Sequence, residues 1–364
     1  MPTIYGALGL ADTDYVFNAT TGQRAIYDVT AEYVARYRED LASSTRIFVG
    51  GMTSDHTLRY SLPGSGRMQK RRESGRPGAV KFTGYWDIGL PLEDFADAIT
   101  MDDVTRAYMT AAELQRQVDT IISRNVNTRR FELMKALLNN TARTFVDPLR
   151  GSLTIQPLAN GDTVQYPPVL GSETAATDDH YLESGYAASA ISDTNDPYIT
   201  IANELEEHFG APTGGSEIAV FINNAQTAKT VALTDFIPVT ALGVMPGTDT
   251  ATVTSVPPQL AAIRTARVLG RHEGAGVWVV EWRYVPSAYM IGVHLGAPAP
   301  LLERMDPADT GLGSGLQLVA DENEFPLETS IWRDRFGYGA GNRLNGVVME
   351  LGSGGTYGIP SGYS

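Results

Sequence analysis

The chain has 364 residues, 43% of them hydrophobic, and a formal net charge of −14 at pH 7. This acidic balance argues against broad binding to nucleic acid, because neutralising phosphates requires clustered lysine and arginine. Cysteine is absent, which excludes disulfides, thiolate metal sites and a cysteine nucleophile. No run approaches the ~18–20 apolar residues of a membrane span, and the first residues lack the features of a signal peptide. We therefore expect a soluble protein with a real core and no membrane contact.

The first ninety residues predict extended segments around one strongly basic tip. Residues 1–28 show no periodicity, a short amphipathic helix is predicted over 30–41, and 46–90 predicts a long two-stranded excursion. The tip lies within 64–76, which holds one acidic and five basic residues, namely Arg67, Lys70, Arg71, Arg72 and Arg76. Because ordering a backbone costs about 1–2 kcal/mol per residue, a stretch this polar is expected to be disordered or to lie across another surface.

A very long helix is predicted over residues 100–140. Thr100 and Asp103 form a Thr-x-x-Asp cap, and forty helical residues span roughly 60 Å. One apolar stripe follows the helix, with a possible interruption at Asn125 and Asn127. The stripe consists of Val104, Tyr108, Ala111, Leu114, Val118, Ile121, Ile122, Phe131, Met134, Leu137 and Leu138.

The remaining residues predict helices and strands without regular alternation. A hairpin is expected from 152–158 and 163–166 around a turn at 160–162. Helices are predicted at 197–209 and 223–234, and strands at 218–222, 277–284, 289–295, 316–319, 328–336 and 344–351. The strand at 289–295 is expected to return alongside 277–284. This mixture predicts the α+β class.

Candidate metal sites are weak in the sequence. Five histidines, at 56, 180, 208, 272 and 294, show no metal-ligand spacing. For Asp178, Asp179 and His180 a solvated loop is favoured over a metal site. Glu204, Glu206 and Glu207 are predicted to form the exposed face of a short helix. We therefore expect no metal and no other cofactor.

No catalytic set is predicted either. Asp321, Glu322 and Glu324 are expected on a polar loop in solvent. Residues 210–215 lack the Lys-Ser/Thr ending of a phosphate-binding loop and predict a turn. Trp278 and Trp282 would suit stacking on sugar rings, but their alternation favours sheet core. The chain is therefore predicted not to be an enzyme.

Four C-terminal segments nevertheless resemble a known family. They are RMDPADTG at 304–311, GLQLVAD at 315–321, RFGYG at 335–339 and NRLNGVVMEL at 342–351. They resemble the C-terminal end of tailed-phage major capsid proteins, and the order of predicted elements is similar to the Hong Kong 97-type capsid fold over essentially the whole chain. This resemblance implies an N-arm, an extended β-hairpin called the E-loop, a peripheral (P) domain with a spine helix, and an axial (A) domain. The implied bounds are 1–45 for the N-arm, 46–98 for the E-loop, 99–189 for the P domain with spine helix 100–140 and the β-hairpin, 190–325 for the A domain, and 326–364 for the return to the P domain and the tail.

The resemblance implies a shell subunit that forms pentamers and hexamers around double-stranded DNA, without sequence-specific DNA contact. The chain would fold and assemble in the host cytoplasm and end in the virion capsid. Because the N-arm begins almost at Met1, a separate scaffolding protein is the implied partner, beside a portal protein and, as in some relatives, a decoration protein. An encapsulin-type compartment shares the fold and is one alternative. A β-rich glycan-binding protein or hydrolase that uses 277–295 is another.

The resemblance also directs attention to the basic tip. Residues 67–76 carry a net charge of +4, so the rest of the chain is near −18. We predict that the tip is an electrostatic latch on acidic surface of a neighbouring subunit. Some relatives join an E-loop lysine to an asparagine of a neighbour, for which Lys70, Lys81, Asn342 and Asn345 would be the candidates here. Nothing in the sequence supplies the geometry, and we expect no covalent crosslink.

Overall fold

The computed structural model describes residues 45–68, 84–102, 104, 111–211, 217–239, 256–263, 265–324 and 327–364. The chain forms two compact units. The described residues of unit 1 lie within Asp94–Thr128 and Gly313–Arg335, and the other described residues belong to unit 2. The predicted extended segment at 1–28 and the predicted helix at 30–41 lie outside the described residues.

The centre of unit 2 is a seven-stranded mixed sheet. Its strands are β7 (Tyr181–Glu183), β8 (Ile218–Ile222), β9 (Phe236–Pro238), β10 (Arg267–His272), β11 (Val277–Glu281), β12 (Tyr289–His294) and β16 (Val347–Glu350). They lie in the order β7-β16-β12-β8-β11-β10-β9. Every residue of β8, β11 and β12 is buried, as expected for central strands covered on both faces.

One helix of unit 2, α2 (Pro197–Phe209), covers part of this sheet and contacts β8, β12 and β16. It begins at Asp196, whose carboxylate accepts a hydrogen bond from the Tyr198 amide at 2.9 Å, and proline occupies the first turn, where its missing N–H is harmless. Ile201 and Leu205 lie in the core that the helix shares with the sheet. The approach is so close that a Cβ at Gly292 would overlap Ile201 Cγ2.

Unit 2 also contains two hairpins, a further set of paired strands and two short helices. Strands β2 (Thr57–Ser61) and β3 (Tyr85–Gly89) pair antiparallel, as do β5 (Arg143–Asp147) and β6 (Gly151–Ile155). Strand β1 (Val49–Thr53) pairs parallel with β13 (Leu301–Arg304), which pairs antiparallel with Gly337–Ala340 of β15 (Leu327–Ala340). The shorter helices are α3 (Asn224–Val231) and α4 (Pro258–Ala261).

Unit 1 packs the first part of the long helix α1 (Ala111–Leu138) on strands. These are β4 (Glu93–Asp102), β14 (Gln317–Glu324) and residues 327–335 of β15. The unit has its own small core, consisting of Val118, Ile121, Ile122, Leu316 and Trp332. In unit 2, Met134, Leu137 and Leu138 of the same helix are buried, whereas Phe131 is half exposed and stacks on Tyr363.

The α+β class and a long helix are confirmed, but the predicted start of the helix is wrong. Thr100 lies in β4, so its hydroxyl does not cap a helix; it hydrogen-bonds with Thr329 at 3.2 Å. The described helix of 28 residues spans about 42 Å and continues through Asn125 and Asn127. Asn125 does not interrupt it, because its amide projects sideways and donates to Asp334 Oδ2 at 2.7 Å.

Two predicted pairings are also wrong because they were inferred from nearness in sequence. The hairpin after the long helix closes at 148–150, not at 160–162. Strand β12 pairs with β8 and β16 rather than with β11, since β8 lies between them. Within the predicted two-stranded excursion at 46–90, β2 and β3 pair with each other as predicted, whereas β1 pairs with β13. Among the described residues, no helix combines the length and apolar content needed to cross a bilayer.

Candidate functional site

The stem of the excursion is a rigid two-stranded hairpin with one polar face. Arg59 on β2 and Asp87 on β3 lie opposite each other and form a fork, with Nε–Oδ1 at 2.7 Å and Nη2–Oδ2 at 2.8 Å. The guanidinium also lies 3.9 Å from the centroid of the Tyr85 ring. The hydrogen bonds from Arg59 lower the pKa of the Asp87 carboxyl, so the fork remains charged at neutral pH.

The other face of the stem is anchored in unit 2. Tyr60 and Trp86 stack with ring centroids 4.6 Å apart, and Trp86 meets the edge of Tyr166 at 6.4 Å. The Tyr60 hydroxyl donates to the Gly341 carbonyl, and Ile88 is fully buried. Trp86 and Ile88 thus lie on the inner face of the stem and Tyr85 and Asp87 on its polar face, as strand alternation requires.

The described part of the basic tip bonds to its own chain. The Gly66 amide donates to the Glu173 carbonyl at 2.7 Å, and the Arg67 guanidinium pairs with the Glu173 carboxylate. Both side chains are largely exposed, and such pairs contribute only about 0–1 kcal/mol. Met68 is 99% exposed. The other predicted latch residues, Lys70, Arg71, Arg72 and Arg76, lie outside the described residues.

A second exposed tip, which the sequence did not indicate, lies at the turn between β5 and β6. Val146 and Leu149 are 71% and 91% exposed there, an apolar pair that water solvates poorly. The turn is nevertheless rigid. Asp147 Oδ1 accepts hydrogen bonds from the Leu149 and Arg150 amides at 2.9 and 3.0 Å.

Asp147 also connects this turn to the interior of unit 2. Its Oδ2 accepts from Arg304 Nη2 at 2.7 Å, and Arg304 Nη1 donates to the Leu90 carbonyl at 2.8 Å. Burial raises the pKa of Asp147, but the Arg304 hydrogen bond and the two backbone amides outweigh it, so the pKa lies below its ordinary value. The buried ion pair therefore holds the exposed apolar tip in one orientation.

Arg343, in the last of the C-terminal motif segments, makes contacts within unit 2. Arg343 is buried and donates to the carbonyls of Pro157 and Leu158 and to the side chains of Asn160 and Asp162. Residues 160–162 do not form the predicted hairpin turn because their backbone pairs with 178–179, where the Gly161 amide donates to the Asp178 carbonyl at 2.7 Å.

Asn345 is also fully buried, and all its amide atoms are engaged. Its Oδ1 accepts from the His294 amide at 2.8 Å, and its Nδ2 donates to the carbonyls of His294 and Pro298 at 3.0 and 2.8 Å. An amide in this position is not available to a neighbouring subunit. Lys70 and Lys81, the lysines considered for crosslinking, lie outside the described residues.

Unit 1 contains an open groove of about 330 Å³ beside α1. Its acidic residues are engaged with partners of the same unit. Asp97 binds Arg124 at 2.7 Å, Asp94 lies 3.6 Å from Arg335, and Asp334 accepts from Asn125. Each of these three carboxylates therefore has a cationic or amide partner within unit 1.

The two tryptophans considered for sugar binding are sheet core, as favoured from sequence. Trp278 is 0% and Trp282 is 3% exposed, so neither ring presents a face for stacking. The strand predicted at 277–284 is shorter in the structure, since β11 ends at Glu281 and Tyr284 beyond it is 40% exposed. Asp321, Glu322 and Glu324 lie in strand β14, not on a polar loop.

The predicted solvated loop at 178–180 is wrong for His180. This side chain is fully buried and lies beside His208 and Asp178. The predicted exposed face of the short helix is wrong as well, because Glu204, Glu206 and Glu207 of α2 are all partly buried. Burial raises the pKa of Glu204 to about 7.

No protein-family model matches the chain, and no curated protein matches it in sequence. Solved structures do match. A chain from Mycobacterium phage Patience superposes with a TM-score of 0.67 at 20% identity, covering 96% of this chain and 95% of that one. The capsid of the native GTA particle superposes with a TM-score of 0.50 at 11% identity, covering 85% and 90% of the two chains.

The capsid of Cyanophage P-SCSP1u also matches, with a TM-score of 0.50, 10% identity, and coverage of 84% and 86%. The chain therefore has the fold of tailed-phage major capsid proteins, as the C-terminal motifs predicted.

Proposed function

We propose that this chain is a major capsid protein, a structural subunit that assembles with copies of itself into pentamers and hexamers of an icosahedral shell. The observation that carries the proposal is the similarity of its fold to capsid structures along most of the chain. Fold alone does not establish function, but the local structure agrees with it. The β2–β3 stem and the β5–β6 turn are both held by buried side chains of unit 2, such as Ile88 and Asp147.

In this proposal the β2–β3 stem and the β5–β6 turn are contact elements. The stem is held at its base by the stacking of Trp86 on Tyr60. The turn is held by the buried ion pair between Asp147 and Arg304. Pre-ordered elements lose little conformational entropy on association. The exposed Val146 and Leu149 then bury apolar surface against a neighbour, at about 25 cal/mol per Å².

The wider setting follows from the same proposal. The shell encloses double-stranded DNA without sequence-specific contact, in keeping with the acidic balance of the chain, and lies in the virion after assembly in the host cytoplasm. A scaffolding protein, a portal protein and, where present, a decoration protein are the proposed partners. The proposed subunit is not an enzyme, needs no cofactor for its assembly, and retains the N-arm, E-loop, P-domain and A-domain divisions given above.

Electron microscopy of the purified protein in negative stain tests the function directly. Capsomers or closed shells are expected. A compact particle of one or two subunits at all concentrations and salt conditions would refute the proposal. Closed shells that recruit a dedicated cargo protein and take up no DNA would instead favour the encapsulin-type alternative.

We further propose that the basic residues beyond Arg67 act as an electrostatic latch between subunits. Arg67 already pairs with Glu173 of its own chain, which leaves Lys70, Arg71, Arg72 and Arg76 as the candidate bridging charges. Several bidentate arginine–carboxylate pairs acting as a network stabilise an interface more than one exposed pair does.

The double variant Arg71→Glu/Arg72→Glu tests the latch. The subunit should fold, shown by an unchanged circular dichroism spectrum, but its assembly should weaken, and raising the salt concentration should weaken the wild type in the same direction. The variant Arg116→Glu/Lys229→Glu changes two exposed positions elsewhere by the same net charge and serves as control. Equal assembly and equal salt response in wild type and tip variant would exclude the latch.

A further inference from the structure

Three side chains of unit 2 converge on one buried point. Asp178 and His180 precede β7, and His208 lies in the last turn of α2. His180 Nε2 lies 3.2 Å from His208 Nε2 and 3.4 Å from Asp178 Oδ2, and His208 Nε2 lies 2.5 Å from the same oxygen. The His180 side chain is 0% and the His208 side chain 4% exposed.

The backbone sets the tautomer of His180. Its Nδ1 lies 3.0 Å from the Gly346 carbonyl oxygen, which can only accept, so Nδ1 carries a proton. In the neutral ring, Nε2 then presents a lone pair to His208 and Asp178. A histidine whose second nitrogen donates to a carbonyl is the usual arrangement of a metal-binding imidazole.

The distances fit a small tetrahedral cation. With metal–nitrogen and metal–oxygen bonds of about 2.0–2.1 Å, ligand atoms in a tetrahedron are about 3.3 Å apart. Two of the three edges, at 3.2 and 3.4 Å, already have that length. The third, between His208 and Asp178, needs to open by about 0.8 Å to reach it.

Glu204 and Glu207 supply candidates for a fourth ligand. Each places a carboxylate oxygen within 4.8 Å of Asp178, and both lie on the α2 turn before His208. Glu207 Oε1 is also 3.6 Å from His208 Nε2. Two imidazoles with one or two carboxylates form a ligand set suited to zinc and its neighbours among the divalent transition metals.

A second buried histidine of unit 2 shows what an ordinary ion pair looks like in this protein. His272 Nε2 lies 3.2 Å from Asp196 Oδ2, and its ring stacks on Tyr198. There, a single imidazole pairs with a single carboxylate. At Asp178 a second imidazole nitrogen lies beside the same oxygen, so three atoms that can each bind a metal meet at one point.

We propose that Asp178, His180 and His208, with Glu204 or Glu207, bind one divalent transition-metal ion of the zinc class. The ion would join the end of α2 to the segment that leads into β7, and through Gly346 to the turn before β16. Binding only to the folded state, it would stabilise unit 2 by mass action. This proposal is independent of capsid assembly.

Isothermal titration of the full-length protein, freed of metal with a chelator, tests the site with Zn²⁺. Saturable binding of one ion per chain and a rise in melting temperature are expected. Co²⁺ should give the intense visible absorption of a four-coordinate site with nitrogen and oxygen ligands, which Zn²⁺ should abolish by displacement. These readouts need no variant.

His208→Gln should lower the affinity for Zn²⁺ by at least tenfold and remove the rise in melting temperature. His272→Gln, which alters the other buried histidine, should retain both. Absence of saturable binding by the wild type would overturn the proposal. So would weak binding that is the same in wild type and His208→Gln, since it would come from surface histidines and carboxylates.

Discussion

Replacing Arg343 by methionine should destabilise the protein strongly, although the residue lies far from the exposed tips. The side chain is among the largest that are fully buried. Its Nε donates to the Pro157 carbonyl at 2.7 Å, and its Nη2 bonds Leu158, Asn160 and Asp162 at 3.1, 2.9 and 2.8 Å. Methionine fills a similar space but donates to none of them.

The magnitude follows from what remains unpaired. Each buried carbonyl that loses its donor costs about 1–3 kcal/mol, and Pro157 and Leu158 are both buried. The Asp162 carboxylate is 25% exposed and regains some solvation. Leaving it without Arg343 therefore costs less free energy than leaving a fully buried carboxylate unpaired. Breaking a buried ion pair by removing one partner costs about 3–5 kcal/mol, and we expect that range for Arg343→Met. The total free energy of unfolding of most domains is only about 5–15 kcal/mol, so this loss would be a large fraction of it.

Urea denaturation followed by circular dichroism measures this change, at subunit concentrations where light scattering shows no particles. The free energy of unfolding of Arg343→Lys should lie between those of Arg343→Met and wild type. The lysine ammonium keeps the positive charge but cannot reproduce the several directed hydrogen bonds of the guanidinium. Arg283→Met is the control. Arg283 is 76% exposed, and its partner Glu281 keeps Arg267 at 2.6 Å, so about 0–1 kcal/mol is expected. An unfolding free energy of Arg343→Met within about 0.5 kcal/mol of wild type would refute the reasoning.

Three further outcomes are expected. Gly292→Ala should lower the free energy of unfolding by about 1–3 kcal/mol, because the added methyl overlaps buried Ile201, and an unchanged urea midpoint would contradict this close packing. Burial lowers the pKa of His294, whose ring nitrogens have no hydrogen-bond partner in the described part of the chain. The unfolded state therefore binds the proton more readily, so stability should be full above the ordinary histidine pKa of about 6.5 and fall as pH drops below it. In His294→Leu, measured with chelator present, the free energy of unfolding should no longer show this fall at low pH. The same pH profile of stability in wild type and His294→Leu would disprove the prediction. Boiled particles should run as a single band near 39.3 kDa on denaturing gels, because the amide of Asn345 is buried and occupied, whereas a ladder of multimers would show that crosslinking occurs.

Local signals in the sequence predicted the elements that depend on neighbouring residues. Helix α2 was predicted with its observed bounds, since the Asp196 cap, Pro197 and the apolar spacing all lie within one segment. Strand β8 was equally clear as a short apolar run. Pairing was not predictable in this way. Strand β12 was assigned to β11, its nearest strand in sequence, but β8 lies between them and pairs with both.

The resemblance of the C-terminal motifs predicted the fold, but it did not give the roles of the motif residues. Arg343 and Asn345 lie in the motif, and only the structure shows that they bond 157–162 and the end of β12. The missed helix start has a similar cause. A Thr-x-x-Asp cap is a local signal, and pairing of β4 with β15 overrides it.

The cluster of Asp178, His180 and His208 shows where pattern reading ends. Twenty-eight residues separate the two histidines, and metal motifs are recognised by short spacings on one element. Here one ligand group precedes a strand at one side of the sheet, and the other ends a helix that crosses the sheet. Packing of α2 on β12 and β16, which the close approach at Gly292 permits, brings them together. A site of this kind therefore depends on the tertiary fold, and a substitution that shifts α2, such as Gly292→Ala, should weaken metal binding without altering any ligand.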